Sequence, residues 1–295
     1  MVEKMEKAVY NGDVEIATQS FGSPQHPALM LIAGATVSML FWDNAFCEQL
    51  ADKGHYVIRY DNRDVGQSTC YPPGKLTYGL AEMTDDAIAV LDGYHIKSAS
   101  FMGMSLGGLI AQIVATKYPD RVESIVLMST GPYAHVETDV PEMDTRILDQ
   151  HAKAAQVDWT DEDAVVSYLL DGAQLMVGKK PFDAKRAESY IRSEFGRAVS
   201  YTSMFNHAQL VYESAYINRL DEISVPVLII HGTEDLIWHF KNAEILQRML
   251  PRAKLHTLEG TGHELHAADF ETIANAVSEH ITGRPEGNSL RQLDS

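Results

Sequence analysis

The chain has 295 residues, with 24 Lys and Arg against 41 Asp and Glu, and 45% of its residues are apolar. That apolar share excludes wholesale disorder, and a chain of this length buries a sizeable core without covalent staples. The net charge of −17 excludes nucleic acid and anionic membrane surfaces as main partners, because both repel an acidic chain.

Two cysteines, Cys47 and Cys70, are too few for a disulfide framework, and reduced thiols in a cytoplasmic protein are expected. Residues 1–7 lack the apolar centre of a secretory leader. The longest apolar stretch, 27–37, is shorter than the roughly 18 residues that span a bilayer.

The opening reads as a hairpin, with strand patterns at 7–10 and 13–18 flanking Asn11-Gly12, a pair that tolerates the positive φ of a tight turn. Short apolar runs follow at 28–33, 56–60, 99–103, 124–128, 227–231 and 254–258. Strands this apolar are covered on both faces, as in a parallel sheet. Helical spacing appears between them at 43–53, 81–91, 106–118 and 241–250, and again at 266–282. Strand alternating with helix predicts a doubly wound α/β sheet, mostly parallel, with helices on both faces. The alternation fails once. Four helical patterns (141–156, 161–177, 183–199 and 203–216) stand in a row with no convincing strand. They read as an all-helical cap inserted over the strands' carboxyl edge, where ligands bind in such sheets. The expected organisation is a core of 1–130 and 221–282, a cap of 131–220 and a polar tail of 283–295.

Gly103-Met104-Ser105-Leu106-Gly107 is a G-x-S-x-G pentapeptide between an apolar strand and a helical run. Alone the pattern is weak; its strand–turn–helix setting is that of a nucleophile elbow. A serine hydroxyl needs a base to take its proton. His263 follows the strand at 254–258 through Glu259-Gly260-Thr261-Gly262 and is the candidate, with His266 as competitor. The segment is not a zinc-protease motif, since Ala267 stands where H-E-x-x-H requires its second histidine. The acid that would orient the imidazole is Asp235, in the turn after 227–231, preferred over its neighbour Glu234. The order Ser105, Asp235, His263 is that of nucleophile, acid and base in one hydrolase architecture. Two backbone N–H groups must hold an oxyanion. Leu106 supplies one, and Ala35, in the loop Ala33-Gly34-Ala35-Thr36, supplies the other.

These residues resemble the α/β-hydrolase fold with a helical cap, from Val14 to about Thr282. Residues 31–38 and 58–68 are most similar to the aclacinomycin methylesterase branch. The resemblance implies the same roles: Ser105 nucleophile, Asp235 acid, His263 base, Ala35 and Leu106 oxyanion donors. Ala33 stands where many members carry His, and Asp64 where many carry Gly.

Gly34, Trp42 and His207 are the candidate substrate-binding residues, Trp42 and His207 each weighed against a packing role. No phosphate-binding Gly loop follows the first core strand, and no cluster has metal-ligand spacing. No cofactor and no metal are therefore expected. The expected activity is hydrolysis of a small-molecule carboxylic ester. The alternatives are acyl transfer, perhydrolysis or C–C bond hydrolysis by the same triad, or a non-catalytic receptor on the same fold.

Overall fold

A computed structural model describes residues 4–136 and 140–283. Strands β1 (Lys4–Asn11) and β2 (Val14–Phe21) form the hairpin, with Asn11 opposite Val14 and Gly12 at φ 60°. The turn falls one residue later than expected. Asn11 stays in the ladder, where its side chain donates to Asp86 Oδ1 at 2.8 Å.

The chain continues through β3 (Ala28–Ile32), α1 (Asn44–Asp52), β4 (Tyr56–Tyr60), α2 (Leu80–Gly93), β5 (Ala99–Met104), α3 (Leu106–Lys117) and β6 (Val122–Met128). The inserted helices are α4 (Thr145–Ala152), α5 (Glu162–Met176) and α6 (Ala184–Arg197). The alternation then resumes with β7 (Val227–Gly232), α7 (Lys241–Met249), β8 (Lys254–Leu258) and α8 (Phe270–Thr282). The eight strands lie in the order β1-β2-β4-β3-β5-β6-β7-β8, antiparallel at β1/β2 and β2/β4 and parallel at every later pair. The expected α/β class and mostly parallel sheet are thus observed.

Side chains alternate across this sheet and build two cores. Met30, Ile32, Ile58, Phe101, Ile125 and Ile229 pack beneath α2, α3 and α7. Leu29, Leu31, Val57, Met102, Val126 and Ile230 pack against α1 and α8. Each fully buried side chain of this kind contributes about 1.5–3 kcal/mol relative to exposure. Helix α3 is buried continuously from Leu106 to Ala115, because it lies at the centre of its layer.

The insertion between β6 and β7 differs from expectation in its last segment. Residues Tyr201–Gln209 form a 3-10 helix, and no helix follows it before Leu220. Three residues per turn align Ser200, Ser203 and Asn206 on one side. Ser203 Oγ donates to the Tyr71 carbonyl at 2.8 Å, and Asn206 Nδ2 donates to Asp64 Oδ2 at 3.0 Å. These polar anchors, not an apolar stripe, set the local winding. Within the cap, Tyr168 and Phe205 pack edge-on around Trp159, with centroids 5.4 and 4.9 Å away. The expected tail, Gly283 apart, lies outside the described residues; Gly283 closes α8 at φ 65°. No described helix is long and apolar enough to cross a membrane.

The close approach of β5, α3 and β3 rests on two glycines. A Cβ on Gly103 would lie 2.0 Å from the Gly107 carbonyl oxygen, and one on Gly107 would lie 2.2 Å from the Ile32 carbonyl oxygen. Both obstacles are backbone and cannot rotate away. Gly103→Ala is therefore expected to destabilise the fold by more than about 3 kcal/mol. At Gly12 a Cβ meets nothing within 4 Å, so only the positive φ is penalised and Gly12→Ala loses about 1–2 kcal/mol. Urea unfolding of the two variants measures the difference; equal losses would contradict the steric account.

Candidate active site

Strand β5 runs into α3 through a single residue. Ser105 stands at φ 53°, ψ −118°, a conformation that costs about 1–3 kcal/mol outside glycine. The neighbours hold it there: Ser105 N–H donates to the Met128 carbonyl at 3.0 Å, and Thr130 Oγ1 donates to the Ser105 carbonyl at 2.8 Å. The sharp turn leaves Ser105 partly exposed between the buried Met104 and Leu106. Leu106 opens α3, so its N–H has no acceptor inside the helix.

The loop after β3 lies against this elbow. A Cβ on Gly34 would stand 3.4 Å from Ser105 Cβ. Among the described residues the next amide, Ala35 N–H, meets no hydrogen-bond acceptor. The loop after β7 carries Asp235, and the loop after β8 carries His263. His263 Nδ1 donates to Asp235 Oδ2 at 2.8 Å, while Ile237 and Trp238 N–H donate to Asp235 Oδ1 at 2.9 and 2.8 Å. Burial pushes the Asp235 carboxyl up, but His263 and His231 beside it outweigh that and hold it well below the usual carboxylate range. A charged carboxylate fixes the imidazole with Nδ1 protonated and leaves Nε2 to take a proton. No hydrogen bond closes between His263 and Ser105 Oγ among the described residues. Such bonds are commonly open until substrate enters.

His266 lies elsewhere: its Nε2 donates to the Pro181 carbonyl at 3.1 Å, and its Nδ1 accepts Ala268 N–H at 3.1 Å. Trp42 is fully buried, stacked on Phe46 at 6.0 Å. This puts it in the core between sheet and α8, which accords with the packing role weighed for it. His207 is also buried. Its Nδ1 accepts Thr36 N–H at 2.9 Å and its Nε2 donates to the Arg63 carbonyl at 2.7 Å. With both nitrogens spent on backbone, His207 has no polar group left for a substrate. Gly34 borders Ser105 as expected, though it is itself buried.

Sequence reasoning missed several supports. His231, inside an apolar strand, donates from Nε2 to the Trp238 carbonyl at 2.6 Å and lies 3.4 Å from Asp235 Oδ2. From the cap, Glu194 takes Ser38 Oγ–H at 2.7 Å, and Arg197 pairs with buried Asp61 at 2.8 Å. Asp61 in turn accepts Met39 N–H at 2.8 Å. On the other flank, Gly178 forms an antiparallel bridge with Thr261, and Lys180 pairs with Asp269 at 2.6 Å. Asp269 also accepts Thr261 Oγ1–H at 2.7 Å.

A strained serine elbow, an imidazole paired to a carboxylate and unpaired amides at the same sheet edge define the class of hydrolases that work through a nucleophilic serine. The sequence profile of the α/β hydrolase fold matches residues 27–269, and the chain belongs to that family. It is 30% identical over 293 residues to rhodomycin D methylesterase DnrP of Streptomyces peucetius, covering 93% of this chain and 97% of that one. It is 26% identical over 253 residues to 3-oxoadipate enol-lactonase 2 of Acinetobacter baylyi, covering 84% and 86%. Among solved structures, 2-hydroxy-6-oxo-6-phenylhexa-2,4-dienoate hydrolase of Rhodococcus sp. strain RHA1 superposes with a TM-score of 0.75 at 20% identity, covering 96% and 100%. That likeness bears on the fold. The expected family and the likeness to methylesterases are borne out.

Burial, with the Asp61 carboxylate nearby, pushes the Glu194 carboxyl up to about 7 from 4.5, against the opposing bond from Ser38. The folded state therefore keeps a proton that the unfolded chain has lost between these values. Stability contributed at this position falls as pH rises through that window. Glu194→Gln keeps an acceptor for Ser38 and removes the titration. Relative to wild type it is expected to gain about 2–3 kcal/mol between about pH 5 and about pH 8. Urea midpoints at the two pH values check this; a constant difference would refute it.

Proposed function

We propose that this chain hydrolyses carboxylic esters through an acyl-enzyme on Ser105, with His263 as base, Asp235 as its acid partner, and Ala35 and Leu106 N–H as oxyanion donors. The observation that carries the reading is the 2.8 Å bond between His263 Nδ1 and Asp235 Oδ2, made at the carboxyl edge to which β5 delivers Ser105. His263 Nε2 takes the Ser105 proton as Oγ attacks the ester carbonyl carbon. The two amides hold the negative charge on the carbonyl oxygen, and the alcohol leaves with the proton from His263. Water, deprotonated by the same imidazole, then cleaves the acyl-enzyme and restores the Ser105 hydroxyl. The chain is a carboxylic ester hydrolase of the α/β hydrolase family, and its methylesterase relatives make methyl esters the first substrates to try.

In this reading the core comprises 1–130 and 221–282, and the cap of 131–220 roofs the site. The substrate is a small-molecule ester. A cytoplasmic location accords with Cys47 and Cys70, both unpaired thiols in the structure.

Ser105→Ala is expected to lower kcat by about 10⁴–10⁶ on p-nitrophenyl and methyl esters, and to abolish labelling by a fluorophosphonate probe. Near wild-type turnover in that variant would refute the nucleophile. His263→Ala should fall as far, whereas His266→Ala should stay within about tenfold of wild type, since its ring only caps a turn and meets a carbonyl. The opposite ranking would exchange their roles. A chelator should leave turnover unchanged; loss restored by zinc would contradict the mechanism.

A further inference from the structure

The loop after β3 contains an improbable residue. Thr36 stands at φ 66°, where a β-branched side chain is a genuine outlier. Local sequence gives it no relief: Gly34 is two residues earlier, and Thr36 Oγ1 bonds only the carbonyl of the preceding Ala35 at 2.6 Å. Such a conformation persists only where the surroundings over-determine it. Here the restraint is His207, which accepts Thr36 N–H on Nδ1 and donates from Nε2 to the Arg63 carbonyl. An amide donor on one nitrogen and a carbonyl acceptor on the other admit one tautomer, neutral and protonated at Nε2. Burial, which pushes the imidazole's pKa down, maintains that form.

We infer that His207 is a positioning residue for the oxyanion hole: by holding Thr36 N–H it fixes the Ala35–Thr36 peptide in its strained turn, and that anchor, one residue on, limits how the adjoining Gly34–Ala35 peptide can turn and so keeps Ala35 N–H aimed at the ester oxygen. The inference rests on the reading of Ala35 as an oxyanion donor. Without the His207 acceptor, nothing among the described residues holds Thr36 N–H, and the peptide is free to turn into an unstrained conformation. Glu194 and Asp61 restrain Ser38 and Met39 further along the loop, but they leave the Ala35–Thr36 peptide unrestrained. His207 touches neither Ser105 nor His263 in any hydrogen bond of the structure.

The two ring nitrogens can be replaced separately. In His207→Asn the side-chain oxygen reaches the place of Nδ1 and accepts Thr36 N–H. In His207→Gln the amide reaches the place of Nε2 and serves only the Arg63 carbonyl. His207→Ala is expected to lower kcat by about 10²-fold with KM little changed, the signature of a displaced oxyanion donor. His207→Asn should recover to within about tenfold of wild type, and His207→Gln should not. Affinity for a trifluoromethyl ketone, which presents an oxyanion to the hole, should fall in step with kcat/KM across the three variants. Melting temperatures identify any variant that fails to fold; if Ala does, the Asn and Gln pair decides. A folded His207→Ala enzyme with wild-type kcat, rescue by Gln in place of Asn, or a rise in KM alone would overturn the inference. Wild-type protein without ester turnover or Ser105-dependent labelling would instead overturn the proposed function.

Discussion

The site depends on one backbone distortion. Ser105 is held at φ 53° between a strand and a helix, and that conformation exists only because the parallel ladder on either side fixes its ends. Ser105 N–H continues the β5/β6 ladder to Met128, and Ser129 N–H continues the next to Ile230. The elbow therefore inherits the rigidity of the sheet. The β7/β8 ladder likewise runs on into the loops of Asp235 and His263: Thr233 N–H reaches the Leu258 carbonyl and Glu234 N–H the Thr261 carbonyl. Loops after adjacent strands are thus tied to each other by main chain before any side chain contributes.

A second layer of restraint comes from the insertion. It reaches the loop after β3 through His207, Glu194 and Arg197, and the loop after β8 through Gly178 and Lys180. Two arginines here meet buried carboxylates. Arg63 pairs with Asp86 at 2.6 Å and Arg197 with Asp61 at 2.8 Å. Removing one partner of such a pair would strand a charge in low dielectric, which is more damaging than the pair is stabilising. The polar turn at 61–64 is thus structural support beneath the site. Asp64 takes φ 68° and accepts from Tyr78 and Asn206.

Much of this was legible before any coordinates. The inner strands β3 to β7 are legible because burial on both faces demands apolar runs, whereas β8 at the sheet edge is partly exposed. The elbow was readable because its motif lay between a strand and a helix. The pairing of Asp235 with His263 is legible because each follows a strand by a few residues. What could not be read were contacts between distant positions. His207 reads from sequence as a substrate contact from the insertion, whereas its ring meets backbone on both nitrogens; its partner Thr36 lies 171 positions away and nothing local announces the pairing. His231 was hidden inside an apolar strand. The final cap segment was read as an α-helix because its anchors, Ser203 and Asn206, look like surface residues until the core presents acceptors to them. Trp42 illustrates the converse: an aromatic beside a catalytic loop also serves the core, and only depth distinguishes the two.

The bridge from Gly178 to Thr261 has a consequence for how the insertion can move. With one margin of the insertion stitched to the loop after β8 and the other to the loop after β3, lifting it as a door would break both seams and disturb the loops of His263 and Ala35 at once. The loops of His263 and of Ala35 are accordingly coupled through one inserted segment, and a change at Gly178 or at His207 would be felt at both sides of Ser105.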